Sequence, residues 1–537
     1  MQLRSLDPDR LYFNAGGMIT MAGRPELDRG LNALAVKDGA IVALGSDAEL
    51  RARFAATPSV DLAGTVVMPG LLDCHCHFLR TSLGWTRLQL ENVKSIDELL
   101  EAIRVRVDES EPGQWVLCSS RWHETNLEEK RLPTRKELDR VSPNNPVHLP
   151  RGGHVVVTNS AGLQLAGIHE ETEDPPGGSF GRDADGALDG LLLERPAFIK
   201  LTRLLPDPTE EEQKFALHRG IDVFNSYGIT GVRDPGLFAP EMRVYQDVIN
   251  RRRSMRTSLL WRVDLGMTPE QRKSWLNGLA PVSGFGDDWA RIWGIKITAD
   301  GGVEGGYFFD PYANNAEFRG FPLASGEEMD AIISQADGLG WRVAVHVVGD
   351  AAMAMILGSF ELAKPRNAGH TLEHAFSPPP GGMQRAKDLG LGVTLQHSLV
   401  YGLGGNMVTY WGNERAEACT PSREWLDSGT LVGAGTDSNV TNFDPWLNIY
   451  GFVTRETENA GVLGAEHRIT AAEALHAYTV GSARIMRHDN LGLLEPGKSA
   501  DFIALPVDPI AAAPEALRDM QVSRTVVNGE TVFQRGS

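Results

Sequence analysis

The segment MPGLLDCHCHFLR, Met68 to Arg80, sets His75 and His77 two residues apart at the end of an apolar run. In an extended strand, Asp73, His75 and His77 would share one face, with Cys74 and Cys76 on the other. Two imidazoles on one face can hold a metal ion. A surface strand end that carries two histidines is the plain alternative. Four further polar residues follow apolar runs: Lys296 in GIKITADGG, His346 in VAVHVVGD, His374 in HTLEHA and Asp437 in GAGTDSN. Singly, each has an ordinary reading. His346 reads as a core histidine, Lys296 as a snorkelling lysine, and Asp437 as a turn or helix-cap residue. Six residues of this kind at the same kind of position weigh against six separate ordinary explanations.

The elements that must position them alternate in type. After VVMPGLLDCHCH come GITGVRD (228–234), SLLWRVD (258–264), RIWGIKIT (291–298), WRVAVHVV (341–348), HTLEHA (370–375), LGVTLQH (391–397) and LVGAGTD (431–437). Helix-length segments such as GEEMDAIISQADGLG separate most of these eight strands. The pattern predicts a parallel sheet closed into a (β/α)8 barrel, whose active sites lie at the C-terminal strand ends. All six residues fall there.

Both chain ends read as β-structure. ALAVKDGAIVALG is a hairpin pattern near the start, and SRTVVNGETVFQRG is another near the finish, with Asn528-Gly529 as its turn. We expect residues 1–67 and 488–537 to be two halves of one small β-sandwich domain, and residues 68–487 to hold the barrel. About 80–227 is too long for a single crossover and is expected to be an insertion after barrel strand one, with 174–190 as loop.

With 52 Lys and Arg against 70 Asp and Glu, the net charge of −18 argues against a nucleic-acid partner. No apolar run approaches a membrane span, and the charged start lacks a signal-peptide core. The four cysteines, Cys74, Cys76, Cys118 and Cys419, form no disulfide framework. Cys74 and Cys76 read as small buried filler against a helix layer. These features predict a reduced, cytoplasmic protein with a small-molecule substrate, and leave a homo-oligomer open.

The motifs VMPGLLDCHCHF, GIKITADGG, VAVHVVGDAA, HTLEHA, GAGTDSNV, ITAAEALHAYTVGSA and LGLLEPGKSADFIAL, in this order, resemble the amidohydrolase superfamily. The similar group is the amidohydrolase-3 type, which includes N-substituted formamide deformylases. The resemblance spans nearly the whole chain. It implies that His75 and His77 bind the more buried of two divalent metal ions. It implies that Lys296 carries a carbamate formed from carbon dioxide and bridges the ions, and that His346 and His374 bind the second. Asp437 would bind the first ion and move protons. An ammonium has no acceptor and cannot ligate a cation, whereas a carbamate offers two oxygens. Histidine and carboxylate ligands suit zinc, and also manganese, iron or nickel. The cysteines at 74 and 76 and TDS around Asp437 depart from the group's usual residues, yet no ligand is lost.

HTLEH also matches His-x-x-Glu-His, a zinc-protease signature that needs a helix. Gly369 before it and SPPPGG after it predict none, so His370 and Glu373 read as supporting residues. Candidate substrate contacts are His154, Arg151 and Trp122 in the insertion and His397 at the end of strand seven. The expected activity is metal-dependent hydrolysis of a non-peptide C–N bond by a hydroxide shared between the ions. Lactone, ester or cyclic-amide hydrolysis at the same site, or a catalytically silent scaffold, are the alternatives. Trp115, Trp122, Val155 and Val156 point to a largely uncharged amide, with Arg151 as the residue that could anchor a carboxylate instead.

Overall fold

In the computed structural model, residues 7–536 are described except 24–25, 91, 121, 123, 125–126, 152–154, 176–177, 280–282 and 367–368. His154 therefore lies outside the described residues. Eight parallel strands form one sheet: β1 (Leu71–Asp73), β2 (Ile229–Leu237), β3 (Arg256–Arg262), β4 (Ala290–Thr298), β5 (Val343–Val347), β6 (Thr371–His374), β7 (Gly392–Leu395) and β8 (Leu431–Ala434). Their spatial order is their chain order. The Cys74 N–H donates to the Ala434 carbonyl at 3.1 Å, which brings the last strand back to the first. This nearly closed (β/α)8 barrel is the predicted fold class.

The strands are apolar because both faces are buried. All four residues of β6 and of β7 are buried. Each crossover helix has a local cause. Between β4 and β5, Ser325 caps the helix Gly326–Gly338 through a reciprocal capping box with Glu328. Met329, Ile332, Ile333 and Ala336, at spacings of three and four, form its buried stripe. No helix among the described residues is long and apolar enough to cross a membrane.

The chain ends meet in β-structure. Val66–Pro69 pairs antiparallel with Phe502–Leu505, placing residues 435 positions apart, Met68 and Ile503, in direct register. Tyr12, Met18, Leu34, Val67, Phe502 and Val526 share one apolar core. The Asn528-Gly529 turn has φ of 52° and 74°, the doubly positive geometry that a two-residue hairpin requires.

The chain divides into two compact units, 1–81 with 217–537, and 82–216. The second holds a five-stranded sheet and its own core, including Leu99, Ile103, Trp122 and Leu149. Part of 174–190 is not loop. Ser179–Arg182 and Leu188–Leu193 form a hairpin, because the Asp183 carboxylate accepts the N–H groups of Asp185 and Ala187 and tightens the turn.

One ion pair ties the barrel to the terminal β-structure. Arg256 at the start of β3 donates twice to Asp501, at 2.9 Å each, and its guanidinium lies 4.0 Å from the Trp289 ring centre. Both side chains are buried. Asp501→Ala should therefore lower the unfolding free energy by about 3–5 kcal/mol, because it strands a buried guanidinium; equilibrium denaturation would measure it.

Candidate metal centre

The barrel's C-terminal mouth opens on a cavity of 620 Å³ whose lining includes His75, His77, Lys296, His346, His374 and Asp437. All six sequence-predicted ligands meet there. Lys296 and His346 project from β4 and β5, and His374 ends β6. The strand β1 stops at Asp73, so His75 and His77 lie in the bend beyond it. His374 and Asp437 have φ of 70° and 51°. These left-handed conformations cost about 1–3 kcal/mol each and turn the chain sharply at the two strand ends. A Cβ at Gly435 would meet the His75 backbone nitrogen at 2.6 Å, so only glycine lets β8 approach this segment.

Every one of the four imidazoles has one nitrogen tied to an oxygen acceptor. His75 Nδ1 contacts the Glu373 carboxylate. His77 Nδ1 lies 3.1 Å from the Pro235 carbonyl, and His374 Nδ1 lies 2.7 Å from Gln396 Oε1. His346 Nε2 lies 3.2 Å from the Gly301 carbonyl. An oxygen acceptor requires the facing ring nitrogen to carry the proton. The opposite nitrogen then keeps its lone pair: Nε2 in His75, His77 and His374, and Nδ1 in His346. Burial pushes His77 down to about 3 and His346 down to about 4, and holds His374 well below the usual range. Those three rings are therefore neutral at pH 7, the form that ligates metals.

Asp437 faces them. Its Oδ1 lies 3.5 Å from both His75 Nε2 and His77 Nε2. Burial alone would raise this carboxyl, but the contact with the His75, His374 and His77 rings holds it below its ordinary value. Ligand atoms of His75, His374 and Asp437 lie within 4.8 Å of one another, the candidate metal cluster among the described residues. Asp437 Oδ1 and Lys296 Nζ are buried without a hydrogen-bond partner. Burial lowers Lys296 to about 8, against the opposing charges of Glu373 and Asp437. An unpaired carboxylate oxygen beside neutral imidazoles is a donor set that fits a divalent cation.

The supporting residues are as ordered as the ligands. Glu373 is fully buried and accepts from Arg233 at 2.5 Å, from Thr394 at 2.7 Å and from Thr371. Burial would raise its pKa, but the charges of Arg233 and His75 hold it well below the ordinary carboxylate range. Because Thr371–His374 is a strand, HTLEH makes no helical zinc-protease site. His370 instead accepts the Val343 N–H through Nδ1.

The other expectations fare differently. Asp73 shares no face with the histidines; it accepts from Thr436 Oγ1 at 2.6 Å behind them. Cys74 packs with Leu72, Ile485 and Met486, and burial lifts its thiol to about 12, so neither the geometry nor the charge suits ligation. His397 is not brought to the cavity. It starts the helix His397–Trp411, fully buried, with its ring 5.4 Å from that of Phe452. Trp122 sits in the core of the 82–216 unit and donates to the Pro150 carbonyl at 2.8 Å, while Arg151 pairs with Glu124 at 2.9 Å. Arg80 and Arg262, which line the cavity, were not singled out by sequence reasoning. Arg262 was visible, as the polar residue near the end of SLLWRVD.

A family model described as the amidohydrolase family matches residues 59–533. This chain belongs to the amidohydrolase family. It is a metal-dependent hydrolase of carbon–nitrogen bonds other than peptide bonds. It is 30% identical over 524 residues to an N-substituted formamide deformylase of Arthrobacter pascens, covering 94% of this chain and 95% of that one. It is 28% identical over 518 residues to a putative amidohydrolase, YtcJ, of Bacillus subtilis, covering 94% and 96%. A solved metal-dependent hydrolase of Pyrococcus furiosus, itself uncharacterized, superposes with a TM-score of 0.74 at 25% identity, covering 93% of this chain and 99% of that one.

The contact between Glu373 and His75 yields a direct test. Glu373→Gln removes the charge that holds the His75 Nδ1 proton, so divalent-metal affinity should fall by about 10–100-fold. Chelator competition on the folded variant, with circular dichroism as the fold control, would measure it.

Proposed function

We propose that the protein binds two divalent ions, zinc first among the candidates, and hydrolyses a small N-substituted amide of the formamide type. The observation that carries this reading is the set of four imidazoles, each with one nitrogen fixed on an oxygen and the other free, around the unpaired Asp437 oxygen. His75, His77 and Asp437 would hold one ion, and His346 and His374 the other. Lys296 would bridge them as its carbamate. Its buried, unpartnered amine favours that chemistry, since the neutral amine is the form that adds carbon dioxide. When bound, the ions supply an acidified water and polarise the amide carbonyl.

The chain's own residues do the rest. Asp437 Oδ1 accepts the proton of the attacking water and returns it to the departing nitrogen, base then acid. Its low pKa keeps it ionised and ready to accept at neutral pH. His77 is the most open of the ligand histidines in the first segment, with its side chain 22% exposed against 1% for His75, so substrate enters from its side. The formamide assignment rests on the Arthrobacter relative named above.

Two variants test this reading. Asp437→Asn keeps an oxygen but cannot accept the proton, so turnover should drop at least about 100-fold while the protein stays folded. Near-normal turnover would remove Asp437 from the proton path. Lys296→Ala should lose activity together with bound metal, and short carboxylates added to the assay should restore part of both. A carbonyl signal from isotope-labelled bicarbonate, present in the parent protein and absent from Lys296→Ala, would identify the carbamate.

A further inference from the structure

Two cavity-lining arginines take no part in the ligand set, Arg80 and Arg262. Arg80 lies in the first turn of the helix Phe78–Gly84, three residues past His77. Arg262 ends β3 and stands in direct register with Lys296 on β4. Paired residues of neighbouring strands turn their side chains to the same face of a sheet. Arg262 is thus presented on the side of the sheet from which Lys296 reaches the cavity. Both arginines are exposed, and neither makes an ion pair or hydrogen bond among the described residues.

The chain has 70 carboxylate side chains against 52 Lys and Arg. Several other arginines do find carboxylates. Arg104 pairs with Glu101 and Asp108, Arg131 with Glu137, and Arg385 with Glu361. Asp264 is on the same cavity wall, two residues past Arg262, yet its Oδ1 is taken by the Gly266 N–H at 2.9 Å and it makes no ion pair with Arg262. The cavity wall also includes the apolar side chains of Val263, Leu265, Leu323 and Val440. Free guanidiniums over an apolar wall suit a ligand with one planar anionic group and a small apolar body.

We infer that the substrate is an amide bearing a carboxylate, gripped by Arg262 and Arg80, with its apolar side chain against Leu265, Leu323 and Val440. The inference rests on the amide-hydrolase reading above. A monoanion is favoured over a phosphate because the Asp437 carboxylate lies in the same cavity, and each extra negative charge is repelled by it. A formyl group offers nothing more to hold, so in a formamide the carboxylate belongs to the amine half. The substrate class is then N-formyl or short N-acyl amino acids. This replaces both the uncharged amide expected from the insertion's aromatic residues and the choice of Arg151 as anchor, since Arg151 is already paired with Glu124.

The test compares three compounds on the metal-loaded full chain: N-formylleucine, N-isopentylformamide, which lacks only the carboxylate, and the isopentyl monoamide of succinic acid, which carries it on the acyl half. Calorimetric binding of hexanoate is measured alongside. We expect kcat/KM for N-formylleucine to exceed that for N-isopentylformamide by at least about tenfold, the scale of a specific charged contact. Arg262→Gln and Arg80→Gln should each shrink that ratio through KM, and Arg262→Lys should keep part of it. Preference for the succinyl amide, lost in the same variants, would support the arginine contact and move the carboxylate to the acyl half. Equal or better turnover of the neutral formamide, or an acid preference that survives both Gln variants, would overturn the inference. If none of the three is hydrolysed, the amide reading fails by itself. Hexanoate then decides the arginine contact: weaker binding to Arg262→Gln supports it, and unchanged binding overturns it.

Discussion

The centre of the barrel depends on one carboxylate that water does not reach. Glu373 is fully buried on β6, and an isolated charge there would be costly. It is tolerated because four donors converge on it: Arg233 from β2, Thr371 from its own strand, Thr394 from β7, and the ring of His75 beyond β1. Arg233 in turn donates to the Cys74 carbonyl at 2.9 Å, and its guanidinium stacks 4.2 Å from the Trp293 ring centre on β4. Five of the eight strands or their ends are therefore referenced to a single ionic cluster. Breaking such a cluster by removing one partner is far more damaging than never having built it. The same cluster fixes which nitrogen of His75 faces Asp437, so barrel closure and ligand orientation are one constraint.

The strand ends show how that constraint is converted into a site. Parallel strands carry side chains inward at every second residue, but a shared centre needs donors from several strands at one height. Here the backbone departs from strand geometry where needed. His75 and His77 leave β1, while His374 and Asp437 adopt left-handed φ. Rigid backbone hydrogen bonds then hold the departures in place. The Asp437 N–H donates to the His75 carbonyl at 2.7 Å, and the His77 N–H donates to the Ser438 carbonyl at 2.6 Å. Two segments 362 residues apart in sequence, as counted from His75 to Asp437, are laced together by main chain as well as by the Thr436–Asp73 bond.

Much of this was legible in the sequence because buried parallel strands write themselves as apolar runs. GITGVRD, RIWGIKIT and HTLEHA each overlap an observed strand, and the polar residue near each end faces the barrel interior or its mouth. The six ligand-type residues could be found by position alone. The bends were not legible. Alternation placed Asp73 beside His75, whereas the chain leaves the strand between them and Asp73 turns to Thr436. Nor does a strand end guarantee a place in the site: His397 follows β7, but the helix begins on that residue and draws its ring to Phe452. The hairpin within 174–190 was hidden by its Pro, Gly and Asp content, which reads as loop until Asp183 is seen to close a turn.

The charge pattern connects the scaffold to the chemistry. A chain with a net charge of −18 repels anions at long range. Within about 10 Å of the site, a screening length at 0.1 M salt, local charges decide instead. Inside the barrel the cation and anion, Arg233 and Glu373, neutralise each other and serve position only. At the mouth, Arg80 and Arg262 have no such partner among the described residues. The deeper pair is insulated by burial and cannot answer to substrate; the outer pair is exposed and can. The barrel thus separates two uses of the same side chain by depth. Buried, arginine holds a candidate-ligand histidine through Glu373; exposed, it remains available to whatever anion enters the cavity.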